Sequence, residues 1–454
     1  MQRCAFRVPK GNGVAKSGDR KLGCHSRIDR VAHDPVRADP PLSQWTQVYV
    51  HVPSYAAWSP QATYTIAFGN GISEKRTVNQ RRFANEWVSL GVFQMNGTPT
   101  VTMTNIATYA DGFDDIAWDA VAFKPLAAKP AAFVVALGDS FSSGEGATTD
   151  LSTGASYTSE SDHDGTDTSA TNSLRDGFHR STLAWSRKAV LPGSSTSIGA
   201  RSDSWDPAID YHLIACSGAV AANIQSGQVG QNGELNQIDQ GYLDANTTLV
   251  TLSIGGNDMR FSDILTACVF ANFYDAGQYT PCNQGTLSGD TTNMQTATTN
   301  RLSSVLPGRL ATVLTQIHAK APNAKIVLMG YPKLFEYASG CVSIDDSDRT
   351  WLNSVSDGLK NAMSAAATSA LSAGIQVKFE DPQPLFTGHN LCTSNPAENP
   401  LVFTLTPGDK PMFSFPFPGP NLNAGISQQS VHPNTLGTTY YATALQDALS
   451  GFYP

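Results

Sequence analysis

The chain has no run of about 18 uninterrupted apolar residues, so no membrane-spanning helix is expected in its 454 residues. It also lacks a basic surplus. Lys and Arg number 30 against 38 Asp and Glu, giving a net charge of -8, and the pI is near 5.6. That balance argues against nucleic acid or an anionic membrane surface as a partner. Charge of either sign is sparse at 15%; Ser, Thr, Gly and Asn fill the polar positions instead, a style frequent in secreted proteins. No apolar core follows the basic N-terminal residues, so no secretory leader is visible, and the chain reads as one that begins inside a longer protein. Cysteine is limited to seven, and an odd count leaves at least one outside any internal pair. The Gly-x-Ser-x-Gly elbow is missing around Ser140, because Ser142 occupies its last position.

What remains is enough for folded cores, with 41% hydrophobic residues. Residues 1–42 hold eight Lys/Arg against three Asp before position 35 and few large apolar side chains. They read as a disordered basic arm, with Cys4 and Cys24 as free thiols. From 43 to 128 the pattern has period two. Val48, Val50 and Val52 alternate with Tyr49 and His51, and Tyr64, Ile66 and Phe68 with Thr63, Thr65 and Ala67. Trp87 to Phe93, Thr100 to Thr104 and Ala117 to Phe123 continue the series. Gly69-Asn70-Gly71 and Asn96-Gly97 supply turns. This predicts antiparallel strands packed as a β-sandwich. Tyr64-Thr65-Ile66, Trp87-Val88-Ser89-Leu90-Gly91, Val101-Thr102-Met103 and Trp118 to Phe123 resemble a golvesin-type or xanthan-lyase-type carbohydrate-binding-like domain. The resemblance implies an accessory module that could hold a polysaccharide; a plain spacer with all its aromatics in the core fits the same pattern. Pro125 to Pro130 reads as the linker.

Residues 131–454 alternate strands with helices. Apolar runs occur at Phe133 to Leu137, Tyr211 to Ala215, Thr248 to Ile254, Lys325 to Met329 and Ile375 to Phe379. Helical patterns fall over Thr182 to Val190, Phe261 to Phe270, Leu302 to Ala319, Trp351 to Ser372 and Thr438 to Leu449. The expectation is a three-layer α/β/α domain on a parallel sheet, with Pro307 breaking or kinking its helix. Thr148 to Ser173 reads as a long polar loop. Its Asp162-His163-Asp164-Gly165-Thr166-Asp167 lacks the twelfth-position Glu of a calcium loop, so no metal and no cofactor are expected.

Four short motifs stand at predicted strand ends. Gly138-Asp139-Ser140 would present a serine hydroxyl where open α/β sheets bind ligands, although Gly-Asp-Ser is also ordinary turn and N-cap chemistry. Gly218 and Asn257 offer uncharged N–H donors suited to an oxyanion. His432, just before Pro433, could take the serine proton. Singly each is weak. In this order and spacing they resemble the SGNH/GDSL hydrolase superfamily, and Gly138 to Gly146 with His179-Arg180-Ser181 its actinobacterial secreted esterase/lipase branch. The resemblance implies a flavodoxin-like fold and hydrolysis of carboxylic esters through an acyl-enzyme. Ser140 would be the nucleophile and His432 the base, with the Ser140 N–H, Gly218 N–H and Asn257 side chain as the oxyanion hole. The family usually has Asp three residues before the His. Here Gln429 stands there, so its main-chain carbonyl is expected to orient the ring of a Ser-His dyad; a weak or inactive hydrolase that serves as a glycan-binding protein is the alternative. The resemblance further implies disulfides Cys268–Cys282 and Cys341–Cys392, a free buried Cys216, secretion, a monomer, and a small-molecule, lipid or acylated-glycan ester as substrate.

Overall fold

The computed structural model describes residues 2–5, 23–24, 35–83, 85–104, 115–147, 177–274, 280–336, 344–402 and 427–452. Ten strands form the first unit: β1 Gln2–Ala5, β2 Gly23–Cys24, β3 Val36–Arg37, β4 Trp45–Val52, β5 Ala62–Ala67, β6 Ser73–Val78, β7 Glu86–Gln94, β8 Thr100–Met103, β9 Ile116–Ala117 and β10 Ala120–Pro125. Two four-stranded sheets, β1-β10-β4-β7 and β3-β8-β5-β6, face each other. Their pairings are antiparallel. Tyr64 and Ile66 point into the shared core with Val48, Leu90, Phe93 and Phe123, while Thr63 and Thr65 of the same strand are half-exposed. That is the period-two rule of a sheet with one buried face.

The structure departs from the sequence reading in three places. The arm is not uniformly unstructured: β1 pairs with β10, β2 with β9 and β3 with β8. Val36, Ala38 and Leu42 are buried in the sandwich core, because this short apolar stretch completes the edge beside β8. Strand β6, Ser-Glu-Lys-Arg-Thr-Val, carries too much charge to register as a strand, and is held by pairing along its whole length with β5. Finally, β4 is buried on both faces. Its second face meets the other domain, where Tyr49 stacks on Trp205 at 4.2 Å.

Five parallel strands form the second sheet: β11 Ala132–Gly138, β12 Ile209–Leu213, β13 Leu249–Ser253, β14 Lys325–Met329 and β15 Val377–Glu380. Their order is β12-β11-β13-β14-β15, the flavodoxin-like 2-1-3-4-5 arrangement. Alternate residues of β11 serve two cores. Val135 and Leu137 pack with the helices Leu306–Lys320 and Asp346–Ser372; Val134 and Ala136 pack with Trp185–Lys188 and Thr435–Phe452. Pro307 falls in the first turn of its helix, directly after the π-helical stretch Arg301–Val305. There its missing N–H costs least. The helix expected over Thr182 to Val190 shrinks to Trp185–Lys188. Cys268 and Cys282 form a disulfide, Cys392 is disulfide-bonded, and Cys216 is a buried thiol. Cys341 and the Asp162 to Asp167 run lie outside the described residues.

Candidate active site

Strand β11 ends at Gly138 with φ +130°. A Cβ there would lie 2.4 Å from the Ser253 carbonyl oxygen and 2.6 Å from Ser142 Oγ, so only glycine lets the strand turn this close to β13. Asp139 then caps the short helix Ser140–Ser143, its Oδ1 accepting the Phe141 N–H at 3.1 Å. Ser140 is thereby fixed at the carboxyl edge of the sheet.

His432 reaches it from the far end of the chain. Its Nε2 is 2.8 Å from Ser140 Oγ. The preceding Val431 has φ +58°, a conformation that β-branched residues avoid and that marks a locally strained turn. This turn changes which carbonyl faces the ring. His432 Nδ1 lies 3.1 Å from the Ser430 carbonyl oxygen, and the Gln428 backbone also favours the protonated ring. The Gln429 carbonyl instead accepts the His432 backbone N–H at 3.2 Å and Asn399 Nδ2 at 3.1 Å. The main-chain groups beside the ring are thus those of Ser430 and Gln428, one residue to either side of Gln429, the expected position. Burial nevertheless holds the His432 pKa below its ordinary value, against the upward pull of Glu145 and these carbonyls.

Asn257 and Ser140 line the same cleft as His432, a space of about 50 Å³ with Phe261, Leu265 and Leu334 on its apolar wall. One amide hydrogen of Asn257 goes to the Ala219 carbonyl at 3.0 Å, which fixes the plane of the amide. Gly218, next to Ala219, has φ +77°. Among the described residues the N–H groups of Ser140 and Gly218 have no acceptor.

Several polar residues here carry no local motif. Asp139 Oδ1 also accepts from Ser253 Oγ at 2.7 Å, and Oδ2 accepts from the Tyr331 hydroxyl. Even so, burial pushes the Asp139 carboxyl up to about 7. Behind His432, Glu145 is wholly buried, accepting from His179 Nδ1 and from Ser217 Oγ at 2.7 Å. Asn399 donates its side-chain amide to the Gly146 carbonyl at 2.8 Å, and its N–H to the His432 carbonyl at 2.9 Å. Asp139, Glu145 and His179 fall within stretches that the sequence singles out, though not for these contacts; Ser217, Ser253, Tyr331 and Asn399 are single polar residues far apart in sequence.

Comparison with known proteins matches residues 37–125 to the Golvesin C-terminal domain family. Lipase 1 of Streptomyces coelicolor is 33% identical over 186 residues, which is 41% of this chain and 58% of that protein. The chain therefore spans rather more than half the length of that relative. A lipase of Streptomyces rimosus is 28% identical over 265 residues, 58% of this chain and 74% of that one. Among solved structures, phospholipase A1 from Streptomyces albidoflavus NA297 is 25% identical, with a TM-score of 0.45 over 70% of this chain and 99% of that chain.

Proposed function

We propose that this chain, whose residues 37–125 match the Golvesin C-terminal domain family, carries an SGNH hydrolase domain after that segment and is a secreted serine esterase or lipase that cleaves carboxylic esters through an acyl-enzyme. The carrying observation is the 2.8 Å contact between His432 Nε2 and Ser140 Oγ. A neutral imidazole at that distance can take the hydroxyl proton as Oγ attacks the ester carbonyl. The same proton then passes to the departing alkoxide, leaving the acyl group on Ser140. Water, deprotonated by His432, releases the acid and restores the serine. The N–H groups of Ser140 and Gly218 and the second amide hydrogen of Asn257 would receive the negative charge that develops on the carbonyl oxygen. Among the described residues the ring Nδ1 faces the Ser430 carbonyl, and the Ser430 and Gln428 main chain would orient the ring. The apolar wall of Phe261, Leu265 and Leu334 suits an aliphatic acyl chain. Secretion fits the disulfide, and no helix among the described residues is long and apolar enough to cross a membrane.

The test is hydrolysis of p-nitrophenyl acetate, butyrate and octanoate by wild type and Ser140→Ala. Wild type is expected to turn over at least one ester, with kcat about 10⁵-fold or more above the variant. Equal rates on every ester would sink the reading and leave an inactive hydrolase fold.

A further inference from the structure

A second cavity, of about 550 Å³, lies where the sandwich meets the α/β domain and shares no lining residue with the catalytic cleft. Its volume is in the range of a small-molecule site. We propose that it binds a short, neutral oligosaccharide.

Three observations carry this. The first concerns charge. Four carboxylates of the wall already have partners within the protein: Asp203 bonds Arg187 at 2.8 Å, Asp206 bonds Arg201 at 2.6 Å, Asp210 lies 3.1 Å from His212, and Glu234 bonds Arg180 at 2.7 Å. An ionic ligand would find no unmatched charge in these pairs. A polyol would find carboxylate oxygens with lone pairs still able to accept hydroxyl hydrogens, which is the chemistry of uncharged, hydroxyl-rich molecules.

The second concerns rings. Trp205 and Trp87 line the cavity and are each half-buried. Trp205 is stacked on Tyr49 from the sandwich, and Trp87 is braced edge-on by His51, itself bonded to Asp119 at 2.6 Å. Trp205 has φ +60°, and its carbonyl accepts Lys124 Nζ from the sandwich at 2.9 Å. A bulky side chain is held in a sparsely populated conformation only where its surroundings impose it. Indole rings offer the C–H faces of sugars an apolar surface without demanding charge.

The third concerns unmet hydrogen bonds. Gln47 Oε1 and Tyr49 OH belong to the cavity wall, are buried, and have no hydrogen-bond partner among the described residues. Buried polar atoms are normally paired. A hydroxyl-rich ligand can donate to the amide oxygen and both donate to and accept from the phenol.

Neither domain makes this site alone. Trp87, Gln47 and Tyr49 come from the sandwich, and Trp205, Asp203 and Asp210 from the α/β domain. The site stands apart from the ester chemistry, so either claim can fail without the other.

The experiment uses the full chain and follows tryptophan fluorescence and titration calorimetry. The probes are hexasaccharides of β-1,4-linked glucose, xylose, mannose and N-acetylglucosamine, with a galacturonate hexasaccharide as the charged comparison. At least one neutral probe is expected to bind saturably. Trp205→Ala and Trp87→Ala are each expected to weaken it tenfold or more, and Ser140→Ala to leave it unchanged. If Trp205→Ala lowers Tm sharply, Trp87→Ala decides. Absence of saturable binding by every neutral probe, binding of the galacturonate alone, or wild-type affinity in Trp87→Ala would overturn the proposal. Esterase rates on the same samples report separately on Ser140.

Discussion

Around Ser140 the side chains that position the serine and the histidine are held by hydrogen bonds, only the N–H groups that face the cleft are left open, and the free space is only about 50 Å³. At the domain junction the space is about 550 Å³. There several wall carboxylates are paired within the protein, and two buried polar atoms have no partner among the described residues. The first arrangement fixes atoms: the Ser253 hydroxyl and the Tyr331 hydroxyl hold Asp139, Asp139 holds the turn of Ser140, and Asn399 holds the loop of His432. The second leaves its capacity unspent. Reactivity needs groups whose positions are fixed before the substrate arrives, whereas a binding surface can keep acceptors in reserve. The contrast predicts that substitutions at the cleft act on rate and its pH dependence.

Four changes would break or sharpen that picture. Asn257→Ala should cost roughly 10²–10³ in kcat with little change in Tm, the usual consequence of deleting an oxyanion donor; a kcat within threefold of wild type would remove Asn257 from the machinery. Gly146→Ala should cost roughly 10²-fold in kcat/KM, because the new Cβ would lie 2.6 Å from Asn399 Nδ2 and 2.9 Å from His432 Cβ and displace the imidazole. Unchanged kinetics there would show that the His432 loop is adaptable.

The third is a shift in pH dependence. Since the His432 pKa lies below its ordinary 6.5, the acid limb of kcat/KM should fall at a pH lower than that. Glu145 pulls this value upward. Glu145→Gln should therefore move the limb further toward acid, and a shift toward neutrality would refute the assignment.

The smallest effect is on stability. Asp139 holds its proton more tightly in the folded protein, at about 7, than its ordinary 3.8. Its contribution to stability is therefore greatest below about pH 4 and is lost as pH rises to about 7. Thermal scans should show Asp139→Asn gaining on wild type across that interval and not beyond it; a constant difference would place the Asp139 carboxyl at its ordinary pKa.

Much of this architecture could be read from the residues. The apolar run ending at Gly138 does become an interior strand of the parallel sheet, and Lys325 to Met329 is a strand with those bounds. Two helices start a few residues earlier than periodicity suggests, at Asp346, capped by Asp345, and at Thr435, whereas the α-helix expected from Leu302 starts at Leu306, after the π-helical stretch. Ser140 and His432 stood out because each sits in a motif at a strand or helix end. The carbonyls facing His432 did not, since every residue has one and only the Val431 turn decides which points at the ring. Tyr331, Ser253 and Asn399 were illegible for a related reason: a lone polar residue has no periodicity, and its partner can lie 192 positions away, as Asp139 does from Tyr331. Strand β6 was hidden by its charges, and β3 by its shortness.

The contact between Ser140 and His432, the proposed nucleophile and base, closes a span of 292 residues. During synthesis Ser140 leaves the ribosome long before His432 is made, and domains tend to fold in the order in which they emerge. For most of that interval the serine is an ordinary alcohol. Catalytic competence is therefore a late event in the life of each molecule. A chain cut short between the end of β15 at Glu380 and the Val431 turn would keep Ser140 and all five strands of its sheet, yet lack the proposed base.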